Sequence, residues 1–444
     1  MTASHSPLLP PIYGGQTGGN DPRAVAPQAA PHRGFWRKLA AFSGPGYLVA
    51  VGYMDPGNWA TGVAGGSAFG YSLLSVALIA NLLAMVLQTL ASKLGIATGL
   101  DLAQACRERY AAPVRIGLWV LCEGAIVACD LAEVIGSAIA LNLLFGLPLV
   151  AGVCLTTLDV FLILALQRFG VRKLEAFIVG LIVIIGVCFA AEMVFAKPSL
   201  HGIAEGLIPS GEIITNPAML YLAVGILGAT VMPHNLYLHS SVVQSRNYPR
   251  TPAGRREAMK LSSADTIIAL SLALLINAAI VILAAATFYR PGASVAVGIE
   301  EAYHLLTPML GAGAASLLFG VALLAAGQNS TVTGTLAGQI VMEGFTDLRI
   351  PAWSRRLVSR LLAVVPAAVI AGIYGAEGTG KLLVLSQVVL SLQLPFAVIP
   401  LILITSDRRQ MGEFASTRRQ AAIYWAIAIS LVTVNAALLL SFFR

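Results

Sequence analysis

The sequence predicts an all-α polytopic membrane protein of eleven transmembrane helices, arranged as two inverted five-helix repeats (5+5) with discontinuous first and sixth helices, plus one extra helix. Three observations predict it: a chain too apolar for water, a one-sided distribution of lysine and arginine, and two helix-breaking motifs at matching places in the two halves. Of the 444 residues 57% are hydrophobic and only 11% charged, where a soluble globule carries about 25% charged residues.

At about 20 apolar residues per crossing, spans are expected near 44–68, 71–97, 116–144, 147–167, 174–196, 218–244, 262–288, 311–342, 356–374, 382–404 and 420–442. The first repeat covers about 44–196 and the second about 218–404, with the extra helix at about 420–442. Residues 1–43 precede this domain, and their first 34 or so are rich in Pro, Gly, Ser and Ala. They lack the basic stretch followed by an apolar core that marks a cleavable signal, so a disordered cytoplasmic tail is expected.

Short cytoplasmic loops accumulate positive charge. With the amino terminus inside, 24 of the 28 Lys and Arg residues fall on the inner side, Arg355, Arg356 and Arg360 among them, leaving Lys197, Arg290, Lys381 and Arg444 outside. The net charge of +7 then follows from topology and gives no reason to expect a nucleic-acid partner. A multi-pass protein of the inner membrane is expected, with its carboxyl terminus extracytoplasmic and a monomer as the working unit. The five cysteines lie mostly within apolar runs, and no disulfide is expected.

The stretch GYMDPGNWATG, 52–62, interrupts the first span. Pro56 removes a backbone donor and Gly57 loosens the chain, so the helix is expected to unwind and leave carbonyls near Gly52 and Tyr53 without helical partners. Asp55 argues against a mere kink, because a bare carboxylate near mid-membrane costs about 2.5 kcal/mol or more. A second interruption, GATVMPHNLYLHS, falls in the sixth span, with Pro233 standing 177 residues after Pro56. Five helices per half reverse the second half, so the breaks face each other across a pseudo-twofold axis, as in inverted-repeat transporters that bind substrate between two broken helices.

Asp55 offers an anionic oxygen, Asn58 an amide oxygen, and the unwound segments add carbonyls near Gly52 and Ala229. Met232 adds a thioether, which makes sense chiefly for a first-row transition ion, whereas oxygen alone would suit magnesium or calcium. In the third span Glu123, Asp130 and Glu133 are spaced by seven and three residues, which turns all three toward one helix face and the bundle interior.

MDPGN at 54–58 and MPHNLYLHS at 232–240 resemble the Nramp family of proton-coupled divalent metal transporters, as do AGQNSTVTGTLAGQIVMEGF at 326–345 and LSQVVLSLQLPFA at 385–397. The similarity runs from about residue 35 to the end. It implies the leucine-transporter-type fold and import of manganese(II) and iron(II), with other divalent metals such as cadmium(II) accepted and protons co-transported. It implies metal ligation by Asp55, Asn58, Met232, the carbonyls of Gly52 and Ala229, and, in one conformational state, Gln387. Gly52 departs from the alanine expected of the family. The resemblance also implies a proton-exit network of Asp130, Glu133, His234, Arg246, Arg355 and Arg356, beside which Glu123 shares its helix face. Asp55 would be the first proton acceptor, since an arriving dication displaces its proton.

His234 reads as a proton-relay or orienting group, because a nitrogen donor would favour zinc and copper; His239 reads as structural. Asp159, Glu192 and Asp265 match no motif and receive no role. No enzymatic function and no resident cofactor are expected. Haem would require histidines on separate helices, and no glycine-rich loop with Lys-Ser/Thr supports ATP hydrolysis. Asp55 would repel the carboxylate of an amino-acid substrate. A magnesium transporter or a passive metal uniporter on the same scaffold are the competing expectations, and Met232 discriminates against the first.

Overall fold

A computed structural model describes residues 34–158, 171–290, 296–310, 314–347 and 351–442. Among them the chain is almost wholly helical, with no strand. In chain order the helices are α1 (Phe35–Phe42), α2 (Pro45–Gly52), α3 (Pro56–Phe69), α4 (Leu74–Thr98), α5 (Leu102–Arg109), α6 (Ala112–Phe145), α7 (Leu149–Leu155) and α8 (Val171–Ala196). There follow α9 (Leu200–Gly206), α10 (Glu212–Thr215), α11 (Pro217–Val231), α12 (Pro233–Val242), α13 (Pro252–Phe288), α14 (Ile299–Leu310), α15 (Ala315–Thr346), α16 (Ala352–Ser406), α17 (Arg408–Met411) and α18 (Arg418–Ser441).

The predicted spans map onto these elements. The first is α2 with α3, the sixth is α11 with α12, and the ninth and tenth both lie in α16, which is divided at Gly375 (φ 58°, ψ −144°). Only the fourth cannot be followed through: α7 begins it, while residues 159–170, Asp159 among them, lie outside the described residues.

Local chemistry sets the helix ends. Asp101 caps α5 by accepting from the Gln104 amide while Gln104 answers to the Asp101 amide, and Thr417 and Gln420 do the same for α18. Gly99 and Gly146 close α4 and α6 in the left-handed conformation. Side chains such as Val120, Val187, Leu275, Val365, Ile373 and Ile429 are exposed on the long helices, as expected where lipid is the solvent. The interior holds the reverse pattern, with Asp55, Asp130, Glu133, His234, His239, Arg356 and Arg360 all buried.

Two sequence expectations are corrected. The tail assigned to 1–43 ends earlier: residues 35–42 form the amphipathic α1, whose Leu39 and Phe42 pack with Ile96, Val243, Tyr248 and Leu261, while residues 1–33 lie outside the described residues. Arg356 and Arg360, counted as cytoplasmic loop charges, point from the first turns of α16 into the bundle, where acids of α6 pair with them.

The scaffold positions the breaks by close backbone approach. α6 packs chiefly against α15 and α16, and α13 against α2, α3 and α4. At Gly136 of α6 a side chain would place its Cβ 2.1 Å from Pro56 Cβ, so the missing side chain is the notch that seats the proline ring of the first break.

Candidate metal site

The first break is built as the sequence dictates. α2 ends in tightened i→i+3 bonds, Tyr53 N–H to Ala50 O at 3.1 Å and Met54 N–H to Val51 O at 3.0 Å. Asp55 is then extended (φ −68°, ψ 163°) and Pro56 occupies the first position of α3. One carboxylate oxygen of Asp55, Oδ1, accepts from the Asn58 backbone at 2.9 Å and from Asn58 Nδ2 at 2.8 Å. The other, Oδ2, is buried and has no hydrogen-bond partner.

At the second break Met232 stands between α11 and α12 at φ 30°, ψ 101°. A non-glycine residue there is strained by about 1–3 kcal/mol, which surrounding structure must offset. Asn58 joins the two breaks: its Nδ2 donates to Ala229 O at 2.9 Å and its Oδ1 accepts from Thr230 Oγ1 at 3.3 Å. Gln387 of α16 lies over the start of α3, where a Cβ on Gly57 would stand 2.1 Å from Gln387 Nε2. Its Nε2 donates to Ser386 Oγ at 2.9 Å, and its Oε1 is buried without a partner. Asp55, Asn58, Ala229 and Met232 are thus brought together, with Gln387 against Gly57 and Gly52 against Met232 sulfur. One expected free carbonyl is engaged instead: Tyr53 O accepts from Asn277 Nδ2 of α13 at 2.8 Å.

A second polar cluster lies between α6, α15 and α16. Asp130 Oδ1 accepts from Arg356 Nη1 at 2.7 Å; Glu133 Oε2 pairs with Arg356 Nη2 at 3.5 Å and Arg360 Nη1 at 3.4 Å. Ser330 Oγ donates to Glu133 Oε1 at 2.8 Å, and Arg360 Nη2 donates to Thr156 O at 3.2 Å. Two acids meet two guanidinium groups. Toward the N-terminal end of α6, Arg355 Nη2 grips both oxygens of Glu123, at 2.8 and 3.0 Å.

Residues 46–441 match the family model described as natural resistance-associated macrophage protein-like. The chain belongs to the Nramp family. The divalent metal cation transporter MntH of Bradyrhizobium diazoefficiens is 60% identical to it over 405 residues, 91% of this chain and 90% of that protein. A crystal structure of a variant of the Eremococcus coleocola manganese transporter superposes with a TM-score of 0.84 at 43% identity, covering 93% of this chain and 88% of that one. Mhp1, a nucleobase-cation-symport-1 family transporter, reaches a TM-score of 0.59 at 17% identity over 90% of this chain and 91% of its own, a likeness of fold alone.

Several features of this Nramp chain escaped the sequence reading. Arg360 completes the acid cluster, and Cys129 links it to the break: its thiol donates to Glu133 Oε1 at 3.7 Å and packs with Met232. Asp265 receives Ser43 Oγ at 2.5 Å, Gly46 N–H at 2.7 Å and Gly44 N–H at 3.4 Å, fixing the start of α2. Arg246 exerts its charge on Asp265. His234 is buried with Nδ1 unpartnered, whereas His239 Nδ1 stands 3.1 Å from Gln88 Oε1. Gln88 Nε2 also donates to Tyr53 Oη at 2.9 Å, so the Gln88 side chain links His239 of α12 through α4 to the first break. Glu192 is buried with both carboxylate oxygens unpartnered.

A cavity of about 860 Å³ reaches Ala60 and Ala64 of α3 and Ile139 of α6. Glu300, Glu301 and His304 of α14 stand in its walls with Glu377 and Lys381 of α16, the last two paired at 2.7 Å. On the opposite side ion pairs strap the helices, Arg109 to Asp407 at 2.9 Å, Arg256 to Glu413 at 2.5 Å and Lys38 to Glu257 at 2.6 Å. Hydrogen bonds from Arg409 N–H and Arg109 hold the exposed Asp407 carboxyl below the usual carboxylate range. No group of three or more His, Cys, Asp or Glu side chains forms a metal cluster among the described residues, so the candidate site depends on amide, carbonyl and thioether donors around one carboxylate.

Proposed function

We propose that this chain is a proton-coupled importer of divalent transition metals, manganese(II) foremost with iron(II) and cadmium(II), working by alternating access as a monomer in the inner membrane with its amino terminus cytoplasmic. The observation that carries the reading is the buried Asp55 Oδ2, without a partner among the described residues, at the meeting of two helix breaks, where Asn58 joins Asp55 to the Ala229 carbonyl and the Met232 sulfur stands against Gly52. Buried oxygens are nearly always hydrogen-bonded; one left bare, within reach of further oxygen donors and a soft sulfur, is matched to a transition-metal dication. The names borne by the MntH relatives and the Eremococcus structure agree with this reading.

The cation enters through the acid-walled cavity and reaches the breaks, drawing the Ala229 carbonyl and the Asn58 amide oxygen out of their present hydrogen bonds. Gln387 closes over it from α16. Asp55 binds the metal as a carboxylate and releases its proton, and His234 with the Asp130 and Glu133 cluster provides acceptors toward Glu123 and the cytoplasmic straps. α2 and α12 move against the scaffold to open the inner side.

Proteoliposomes loaded with a pH indicator test this. Manganese(II) added outside should enter and acidify the interior, magnesium(II) should do neither, and Asp55→Ala should lower both signals by at least about 100-fold, the loss expected when the one charged ligand of a dication is removed. Manganese entry without acidification would leave a passive uniporter. Equal entry of magnesium would refute the role given to sulfur.

A further inference from the structure

We propose that Asn235 is a further metal-contacting residue of this site, with Gly52 as its complement: the Asn235 carboxamide oxygen joins the ligand shell while its amide group engages the Met232 sulfur, biasing the site toward a hard dication such as manganese(II) over a soft one such as cadmium(II). The inference rests on the metal-transport reading above and adds a residue and a selectivity to it.

Three features of the second break carry it. Asn235 is fully buried in the first turn of α12, and its Nδ2 donates to Met232 Sδ at 3.5 Å. The alternative orientation of the amide would set two acceptors, oxygen and sulfur, against each other, so the nitrogen faces the sulfur. The second feature is Oδ1, which is buried and has no hydrogen-bond partner. A bare amide oxygen in a water-poor interior is costly, and a dication at the adjoining breaks would satisfy it.

The third feature is Gly52. Its φ is not among the positive values of this chain, so no turn requires a glycine there. Space does: a Cβ on Gly52 would stand 2.4 Å from Asn235 Nδ2, 3.3 Å from Asn235 Cγ and 3.3 Å from Met232 Sδ. Even one methyl group would expel the carboxamide from its place between the breaks.

Chemistry gives the direction. An N–H group that occupies one lone pair of a thioether leaves less for a soft ion, and an added amide oxygen suits a cation that accepts several oxygens in flexible geometry. Manganese(II) gains from both changes, and cadmium(II) loses by the first.

The test uses the full-length protein in nanodiscs, titrated calorimetrically with manganese(II) and with cadmium(II), for the parent, Gly52→Ala, Asn235→Ala and the double variant. Each single substitution should lower the manganese-to-cadmium affinity ratio by about tenfold, equivalent to roughly 1.4 kcal/mol, and the double variant should lower it no further than Asn235→Ala alone, because both remove one arrangement. An unchanged ratio, an equal loss for both metals, or independent additive effects would overturn the proposal. Should Asn235→Ala not fold, Gly52→Ala decides alone, since it retains every polar group of the site. A parent protein that binds neither metal is a different outcome and would refute the transport reading itself.

Discussion

The helix breaks and the acid–arginine cluster sit at similar depth in one bundle and treat buried charge in opposite ways. Around Asp130 and Glu133 each carboxylate meets a guanidinium group, with Ser330 Oγ on Glu133 and the Thr156 carbonyl on Arg360, although Asp130 Oδ2 has no hydrogen-bond partner. Among the described residues no arginine pairs with Asp55, and Asp55 Oδ2, Asn235 Oδ1 and Gln387 Oε1 are all left bare. A cluster whose acids face guanidinium groups balances its charge internally, whereas a lone carboxylate among bare amide oxygens lacks a counter-charge and suits a cation. Burial of acids alone does not mark a ligand site; the mismatch between acceptors and donors does.

Breaking the charge-paired cluster should have the largest effect. Arg356→Ala leaves Asp130 facing a cavity and Glu133 with Arg360 alone, and removing one partner of a buried pair costs about 3–5 kcal/mol. The purified variant should melt well below the parent, and Asp130→Asn in the same chain should restore part of the loss. If the single variant melts as the parent does, the Arg356 pairing does not hold the cluster together.

A smaller effect is expected at the unsatisfied site. Met232→Ala removes the thioether while leaving a non-glycine residue at φ 30°, so manganese(II) uptake should persist while calcium(II) or magnesium(II) competes about tenfold better, the factor that 1.4 kcal/mol represents. Competition assays in proteoliposomes read this directly, and a variant that still excludes calcium as the parent does would remove sulfur from the account of selectivity.

Asp101, outside the membrane spans, lies between the two extremes and should give the smallest effect. It is buried, caps α5, and burial raises its carboxyl to about 7. The folded state therefore holds a proton that the unfolded chain gives up near pH 4, so the stability this group contributes is present below that value and is lost as pH rises toward 7 and beyond. Asp101→Asn keeps a capping oxygen and should flatten the fall in melting temperature between pH 5 and pH 8. An identical slope in the variant would show that Asp101 does not titrate there.

Much of this was legible in the sequence because it is local. A proline one residue after an aspartate fixes where a helix restarts and which side chain caps it, and apolar run lengths fix the spans. The third-span acids share a face by periodicity alone. Gln387 entered only through resemblance, since nothing in its neighbourhood distinguishes it from a polar residue of any packed helix. Arg360, Asp265 and Asn235 were missed for a common reason: their meaning comes from partners. Arg360 pairs with Glu133, 227 positions away, and Asp265 with Gly46, 219 away. Asn235 has its sulfur only three residues off, yet its significance lies in the space that Gly52 leaves on another helix. The α1 helix was hidden by its proline- and glycine-rich neighbours, and its packing on α13 is again a long-range fact.

The docking of Ser43, Gly44 and Gly46 onto Asp265 has a consequence for synthesis. The acceptor is made some 220 residues after its donors, and at about 5–20 residues per second the ribosome needs roughly 10–45 s to supply it. Through that interval the leading turn of the first crossing has no carboxylate to receive it, so its amides must remain with water or the insertion machinery. The nascent chain can therefore insert its opening half early but can seat its first segment only after the seventh crossing has been delivered.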